Sequence, residues 1–352
     1  MRGIKVLRNL VTAMMCSMAY AWTAQCQAFE ADDLIDSGQS ESSYLPEGLL
    51  ASEVMTTLFA QPQVSDIRTV TYNHRSAPAG TLGIILWGGQ EKLGPSGYLN
   101  QLTPYTGLTV QAPLNLHQMV VNPGWPGGTG VQTMGGRIGI NIHSQSIAQN
   151  MAARGGLGTV VLGYNFKAAD RIKPFTRLQN KLRYFFEMKV PRSYVLGQGV
   201  TQVVAYFNFV DVVHNQAIWY GFNAFDSRGL AHLSTVGPES VMWDLGTNLP
   251  IVHSTFGYSH NFGTTDFGSQ SFLWWTFGGF RPFSMTVSGS QLANAIRSIK
   301  LRYPALANRL SDNPADYELR HFNFNPEIYT PNAAHFAHIG VTERNLRIDW
   351  IH

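Results

Sequence analysis

Carboxylates that fall inside strand-like runs are the natural candidates for chemistry in this 352-residue chain, which has only 22 Asp and Glu. Three of them sit among aromatic and β-branched residues: Glu187 in RYFFEMKVP, and Glu239 and Asp244 in ESVMWDLGTNLPIV. Two carboxyl groups flanking a scissile bond can hydrolyse a glycoside, about 5–5.5 Å apart for retention and roughly 6.5–9.5 Å for inversion. The aromatic neighbours of Glu187 suit it to general-acid work. Alternation also groups it with Arg183, Phe185 and Lys189, so a salt-bridged outer face is the competing expectation. Glu239 and Asp244 straddle Trp243 and point to opposite faces of a strand, so at most one lines a given groove. Asp226, before Ser227-Arg228-Gly229, suits a turn.

Other side chains could hold a ligand beside such acids. Trp219, Trp243, Trp274, Trp275 and Trp125 offer flat rings on which a pyranose could stack, although tryptophan in a sandwich is commonly core. Asn208, Asn223, His321, Asn323 and Asn325 could hydrogen-bond hydroxyl groups, and His321, Asn323 and Asn325 share one face of HFNFN. Arg137, Asn141 and His143 share one face of GGRIGINIH, with Ile138, Ile140 and Ile142 on the other. Those residue types are the ones needed to neutralise a uronate and abstract its proton. His335 and His338 have ligand-like spacing but lie in PNAAHFAHIG without HExxH or a nearby cysteine, so no metal and no cofactor are expected. The chain has no G-x-S-x-G, P-loop or G-x-G-x-x-G run.

The elements that must position these groups read as strands. Residues Thr201 to Val252 supply TQVVAYFNFVDVV, QAIWYGFNAFDSRG and ESVMWDLGTNLPIV, three aromatic and β-branched runs cut by short polar breaks. Similar texture runs from Val64 to the end of the chain, with no fixed-period repeat and no linker. The many Gly pairs read as turns and bulges. Helical spacing appears in Pro46 to Ala60, where Leu49, Leu50, Val54 and Leu58 form a stripe. It recurs briefly in SQSIAQNMAARGG, and in SGSQLANAIRSIKLRYP, which Pro304 stops. This predicts an all-β fold, an antiparallel jelly-roll or β-sandwich with two or three short peripheral helices, as one domain over 64–352.

Composition narrows the class further. Hydrophobic residues make up 44% and charged residues only 13%, against roughly 25% in ordinary soluble domains. Residues 1–28 read as a signal peptide: Arg2, Lys5 and Arg8, then an apolar run from Leu10 to Tyr20, then small-residue cleavage sites ending at Ala21 and Ala28. That run is shorter than the about 20 residues a bilayer span needs. Cleavage after Ala28 removes three of 25 basic residues, no acid and both cysteines, leaving 22 residues of each sign. A neutral mature chain with no basic run is a poor nucleic-acid binder, and without cysteine its stability must come from its core. Residues 29–63 read as a flexible leading segment followed by the first short helix.

The alternating aromatic strands, and the closing VTERNLRIDWI, resemble the concanavalin A-like jelly-roll superfamily of lectins and glucanases. A shorter similarity is to family 12 endoglucanases, in which a strand of the form E-x-M-x-W followed by Pro-Ile carries the nucleophile. Here Glu239-Ser240-Val241-Met242-Trp243 precedes Pro250-Ile251, so the resemblance would give Glu239 that role. The family's F-G-x-E-P-F run, which holds its general acid, corresponds to Phe277-Gly278-Gly279-Phe280-Arg281-Pro282-Phe283, which has no carboxylate; the following helix is also out of the family's order.

The resulting expectation is a secreted or periplasmic polysaccharide-active protein, most simply a β-glycan hydrolase with an aromatic-lined groove. Glu239, Glu187 and Asp244 are its candidate acids, and Trp219, Asn223, Trp243, Trp274, His321 and Asn323 its binding residues. A lectin-like module and a jelly-roll polysaccharide lyase remain alternatives.

Overall fold

A computed structural model describes residues 52–61, 80, 82–87, 103–104, 117–121, 129–134, 137–147, 151–152, 155–228, 239–244, 247–254 and 280–352. Its strands are β1 (Met55–Ala60), β2 (Leu82–Trp87), β3 (Thr103–Pro104), β4 (His117–Val121), β5 (Thr129–Met134), β6 (Arg137–His143), β7 (Leu157–Asn165) and β8 (Lys181–Leu196). They continue as β9 (Val200–Asp211), β10 (Gln216–Asp226), β11 (Glu239–Asp244), β12 (Leu249–Ser254), β13 (Arg281–Ser288), β14 (Tyr317–Tyr329) and β15 (Phe336–Ile351). One α-helix, α1 (Gly289–Arg302), and several short 3-10 turns accompany them among the described residues.

The strands form two sheets, and the fold is the all-β sandwich that the alternation predicts. The first sheet runs β13-β8-β15-β6-β5-β4-β3, with β1 added beside the second half of β15. The second runs β11-β12-β10-β9-β14-β7-β2. Pairing is antiparallel except between β10 and β12, which run parallel. Period-2 alternation decides what each strand buries. On the first sheet Leu182, Tyr184, Phe186 and Met188 point inward with Ile138, Ile140, Phe283 and Ile339; on the second, Phe207, Phe209, Tyr220, Phe222, Phe322 and Phe324 meet them. Phe186 stacks on Phe283 with ring centroids 5.2 Å apart, and Tyr184 crosses the sandwich to donate from its hydroxyl to the Asn323 carbonyl at 3.0 Å. That bond ties the middle of β14 to the opposite sheet.

The helix expected after β13 forms where its signals lie. Ser288 accepts from the Gln291 amide while Gln291 returns a bond to the Ser288 amide, a capping box worth about 1 kcal/mol. Leu292, Ala295, Ile296 and Ile299 form its buried stripe, and Lys300 and Arg302 stand near its C-terminal carbonyls. The SQSIAQNMAARGG segment forms a 3-10 turn over Ser144–Ile147, with helical geometry again at Met151 and Ala152.

One element differs in kind. The end of the stretch with helical spacing, Met55–Ala60, is a strand antiparallel to β15. Beyond Arg344 the β6 ladder ends, and β1 takes the vacated side of β15 from Arg347 to Ile351. Local periodicity there loses to a ladder of backbone hydrogen bonds. Gln61 then fastens the turn-out, accepting from the Leu346 amide at 2.9 Å and donating to the Glu343 carboxyl at 3.0 Å. Glu343 is in phase with Ile339 and Val341 and wholly buried, which pushes its carboxyl well above the usual range.

Candidate functional site

The outer face of the second sheet carries the candidate site, and β14 runs through its middle. Up to Leu319 the odd residues of β14 enter the core. A bulge between Leu319 and His321 re-phases the strand, so that Phe322 and Phe324 turn inward. His321, Asn323, Asn325 and Glu327 consequently share the outer face. Beside them on β9 lie Asn208, Tyr206, Val204 and Gln202, in that register. The next strand, β10, adds Trp219 opposite Asn208 and Gly221 opposite Tyr206, with Asn223 opposite Val204. Ile251 and His253 follow on β12, and Met242 and Asp244 on β11.

These side chains are organised by rings and neutral hydrogen bonds. Val204, Tyr206, Trp219 and Ile251 make a small apolar cluster separate from the main core. Tyr206 and Trp219 have ring centroids 6.2 Å apart, and Trp219 and His321 5.6 Å, both near edge-to-face. The His321 Nδ1 and Asn165 Oδ1 atoms are hydrogen-bonded at 2.9 Å, as are the Tyr206 hydroxyl and His253 Nε2 at 2.7 Å. Burial lowers His253 to about 4, so it is neutral and its Nε2 can accept from Tyr206. Gly221 allows this arrangement: a Cβ there would lie 2.0 Å from the Ala205 carbonyl oxygen and 2.3 Å from the Tyr206 ring.

Two acids bound the face. The Glu327 carboxyl accepts from Gln202 Nε2 at 2.7 Å. Burial pushes it up to about 7; the Gln202 bond opposes that shift and the negative charge of Asp244 adds to it. Asp244 Oδ2 accepts from the Thr247 amide at 3.1 Å and from the Thr247 hydroxyl, which in turn accepts from Trp219 Nε1 at 3.0 Å. The indole, the threonine and the acid are thus one linked unit at the β11–β12 turn. The charges of both acids also help hold the Tyr206 hydroxyl protonated, behind the larger effect of burial.

Several expected site residues come together here: Asp244, Trp219, Asn223, His321 and Asn323. Trp243 goes to the other side of β11, packing on the main core and edge-on to Tyr303 with centroids 5.2 Å apart. Its indole donates to Asn248 Oδ1 at 3.0 Å. Glu239 opens β11 opposite Ser254, and its side chain lies outside the described residues. So do Trp274, Trp275, Trp125, residues 277–279 and the leader at 1–28.

Glu187 is elsewhere. It lies on the outer face of the first sheet, where it accepts from Arg344 Nε and Asn345 Nδ2, each at 2.7 Å. It therefore shares no face with Asp244, and the salt-bridged expectation describes its surroundings. The segment from Phe280 to Phe283 also belongs to that sheet, at its β13 edge. Arg137, Asn141 and His143 line the same outer face; Asn141 Oδ1 is hydrogen-bonded to His338 Nε2 at 2.7 Å, and the His143 and His338 rings lie 5.1 Å apart. His335 Nδ1 accepts from the Gln198 amide at 2.9 Å. Among the described residues no group of three His, Cys, Asp or Glu could hold a metal ion.

Glu327 was missed by the sequence reading. The signal was available: His321, Asn323, Asn325 and Glu327 continue one alternation. The strand runs on through Pro326, a residue that cannot donate to a ladder. In the structure the β7 ladder skips Asn325 and Pro326, and Thr159 Oγ1 donates to the Pro326 carbonyl at 2.7 Å.

No family model and no curated protein matches the chain. Among solved structures it is similar to the family 11 xylanase of Neocallimastix patriciarum, at 10% identity and a TM-score of 0.30, over 66% of this chain and 90% of that one. A loop-swap mutant of that organism's Xyn11A has the same identity and coverage and a TM-score of 0.29. Fold and site define a two-sheet, mostly antiparallel β-sandwich with an amide- and aromatic-rich outer face carrying one acid poised near neutrality. No helix among the described residues is long and apolar enough to cross a membrane.

Proposed function

We propose that the protein is a secreted or periplasmic glycan hydrolase that binds polysaccharide on the outer face of its second sheet. The observation that carries this reading is Glu327: a carboxyl raised to about 7 on a face otherwise built from Asn, His, Trp and Tyr. An acid that keeps its proton near neutral pH can give it to a leaving glycosidic oxygen. Trp219 offers the ring for a sugar face, and Asn208, Asn223 and Asn323 offer donors and acceptors for hydroxyl groups. Asp244, held by Thr247, is the charged partner whose field adds to the burial that keeps Glu327 protonated. The sandwich from β1 to β15 acts as one domain, and no cofactor enters the chemistry.

The test is Glu327→Gln in the mature protein, assayed on a panel of β-glycans by release of reducing ends. Turnover should fall about 10²–10⁴-fold while glycan binding persists. Undiminished turnover would remove Glu327 from the mechanism. A non-catalytic, lectin-like role is favoured by a different observation: Asp244 is engaged in building its own turn through Thr247. Binding by the wild-type chain with neither reducing ends nor absorbance near 235 nm would establish that role; absorbance with reducing ends would indicate elimination.

A further inference from the structure

One cross-strand row of the second sheet ends on an ion pair that the proposed chemistry leaves unused. Gln202 of β9 stands opposite Glu327 of β14 on one side and opposite Asp226 of β10 on the other. Asp226 is buried, and its carboxyl accepts from the Arg228 backbone amide and Nε, each at 2.9 Å, and from Arg228 Nη2 at 2.6 Å. The turn that carries Arg228 is also pinned to β9: the Ser227 amide donates to the Thr201 carbonyl at 2.9 Å, and the Thr201 amide to Ser227 Oγ at 3.0 Å. From that fixed base Arg228 Nη2 reaches the Gln202 side chain, donating to Oε1 at 3.2 Å. The other end of the same amide, Nε2, donates to Glu327 Oε2 at 2.7 Å.

The order of donors in this network is forced. A guanidinium has N–H donors and no acceptor, so the Gln202 atom facing it must be the carbonyl oxygen. The amide nitrogen then faces Glu327, and it can only donate. Glu327 Oε2 is therefore an acceptor in this bond whether the carboxyl is neutral or ionised, and the proton of the neutral acid is left to Oε1. Without Arg228 the amide is free to turn over. Its carbonyl oxygen would then face Glu327 and accept the acid's proton, stabilising the neutral form and withholding that proton from a ligand. The ion pair imposes the orientation without adding net charge to the row, because Asp226 balances Arg228.

We infer that Arg228 is a positioning residue for Glu327: through Gln202 it keeps the carboxyl proton on Oε1, free of the amide and available for transfer. The catalytic consequence rests on the reading of Glu327 as the acid; the orientation of the amide does not.

The experiment follows the Glu327 carboxyl and the Gln202 side-chain amide by NMR through the Glu327 titration, beside turnover of β-glycans. In the wild-type protein the Gln202 amide protons should shift as Glu327 titrates, as donors to it must. Asp226→Asn/Arg228→Met removes the ion pair with no change in net charge and keeps an acceptor for the turn. In that variant the Glu327 midpoint should rise by about one pH unit, the scale of one hydrogen bond to a carboxylate. Turnover should fall about tenfold with KM little changed. The same pair of substitutions added to Gln202→Leu should move the midpoint no further, because Arg228 acts through that amide. Gln202 protons that ignore the Glu327 titration in the wild type would overturn the inference, and that measurement needs no variant to fold. So would a midpoint unmoved in the ion-pair variant, or an equal rise on the Gln202→Leu background. Undiminished turnover in the ion-pair variant, where Glu327→Gln abolishes turnover, would do the same. Turnover that survives Glu327→Gln would instead remove the catalytic reading alone and leave the titrations to decide the role of Arg228.

Discussion

The two outer faces of the sandwich are made by the same period-2 alternation and yet differ in kind. On the first sheet the outward positions carry charge. Arg183 is buried against Asp349 at 3.5 Å and donates to Ser284 at 3.1 Å; Asp349 also accepts from Arg347 at 3.0 Å and from Thr57 at 2.9 Å. On the second sheet the outward positions through the middle strands are amides, imidazoles and aromatic rings, with acids only towards its margins. Charges that meet partners at short range settle into pairs and lose chemical freedom. A carboxyl set among neutral groups has nothing to stabilise its ionised form beyond one amide, so its proton affinity rises into the useful range. Polarity alone therefore does not mark a reactive face; the absence of a countercharge beside the acid does.

The largest expected effect separates Glu187 from Glu327. Glu187→Ala leaves Arg344 without its carboxylate at a nearly buried site, which should lower stability by about 3 kcal/mol in denaturant unfolding. Turnover per folded molecule should stay near wild type. Glu327→Gln should do the reverse, with turnover collapsing and the unfolding midpoint scarcely moving. A turnover collapse in folded Glu187→Ala would erase the distinction between the faces.

The next effect bears on the second face only. Gly221→Ala places a Cβ against the Ala205 backbone, which cannot yield as a side-chain tip would. It should cost about 1–3 kcal/mol in stability and weaken glycan binding by displacing Tyr206, both measurable on one preparation. A smaller effect tests the link between the acids. Activity that needs protonated Glu327 is lost as pH rises through about 7. Asp244→Asn removes the charge that adds to burial in raising Glu327, so this loss should move modestly to lower pH. An unmoved profile would show that Asp244 has no bearing on the acid.

Much of this arrangement was legible in the sequence and some was not. Alternation placed Arg183, Phe185, Glu187 and Lys189 together, and grouped His321 with Asn323 and Asn325. It could not say which strands become neighbours. Arg344, the partner of Glu187, is 157 residues away along the chain, and no local pattern links them. Glu327 was not marked out because its surroundings come from other strands: Gln202 of β9 donates to its carboxyl and Asp244 of β11 lends its field. Met55–Ala60 was hidden by a helical stripe that a long-range ladder overrides. In each case the deciding contact is non-local.

The two faces also predict an acid-stability comparison with a definite sign. His143 on the first sheet and His253 on the second are both lowered from 6.5 to about 4 by burial. In the unfolded chain each returns to its ordinary value and binds a proton first as pH falls. Their contribution to stability is therefore present above about 6.5 and lost as pH drops towards about 4. His253→Gln can still accept from Tyr206 but cannot titrate, and His143→Gln similarly removes one titration from the first face. Each should flatten the fall in melting temperature across that window, by a similar amount because the two shifts are similar. If only His143→Gln flattens it, His253 is protonated in the folded protein, Tyr206 loses its neutral acceptor, and the second face carries a positive charge beside Tyr206.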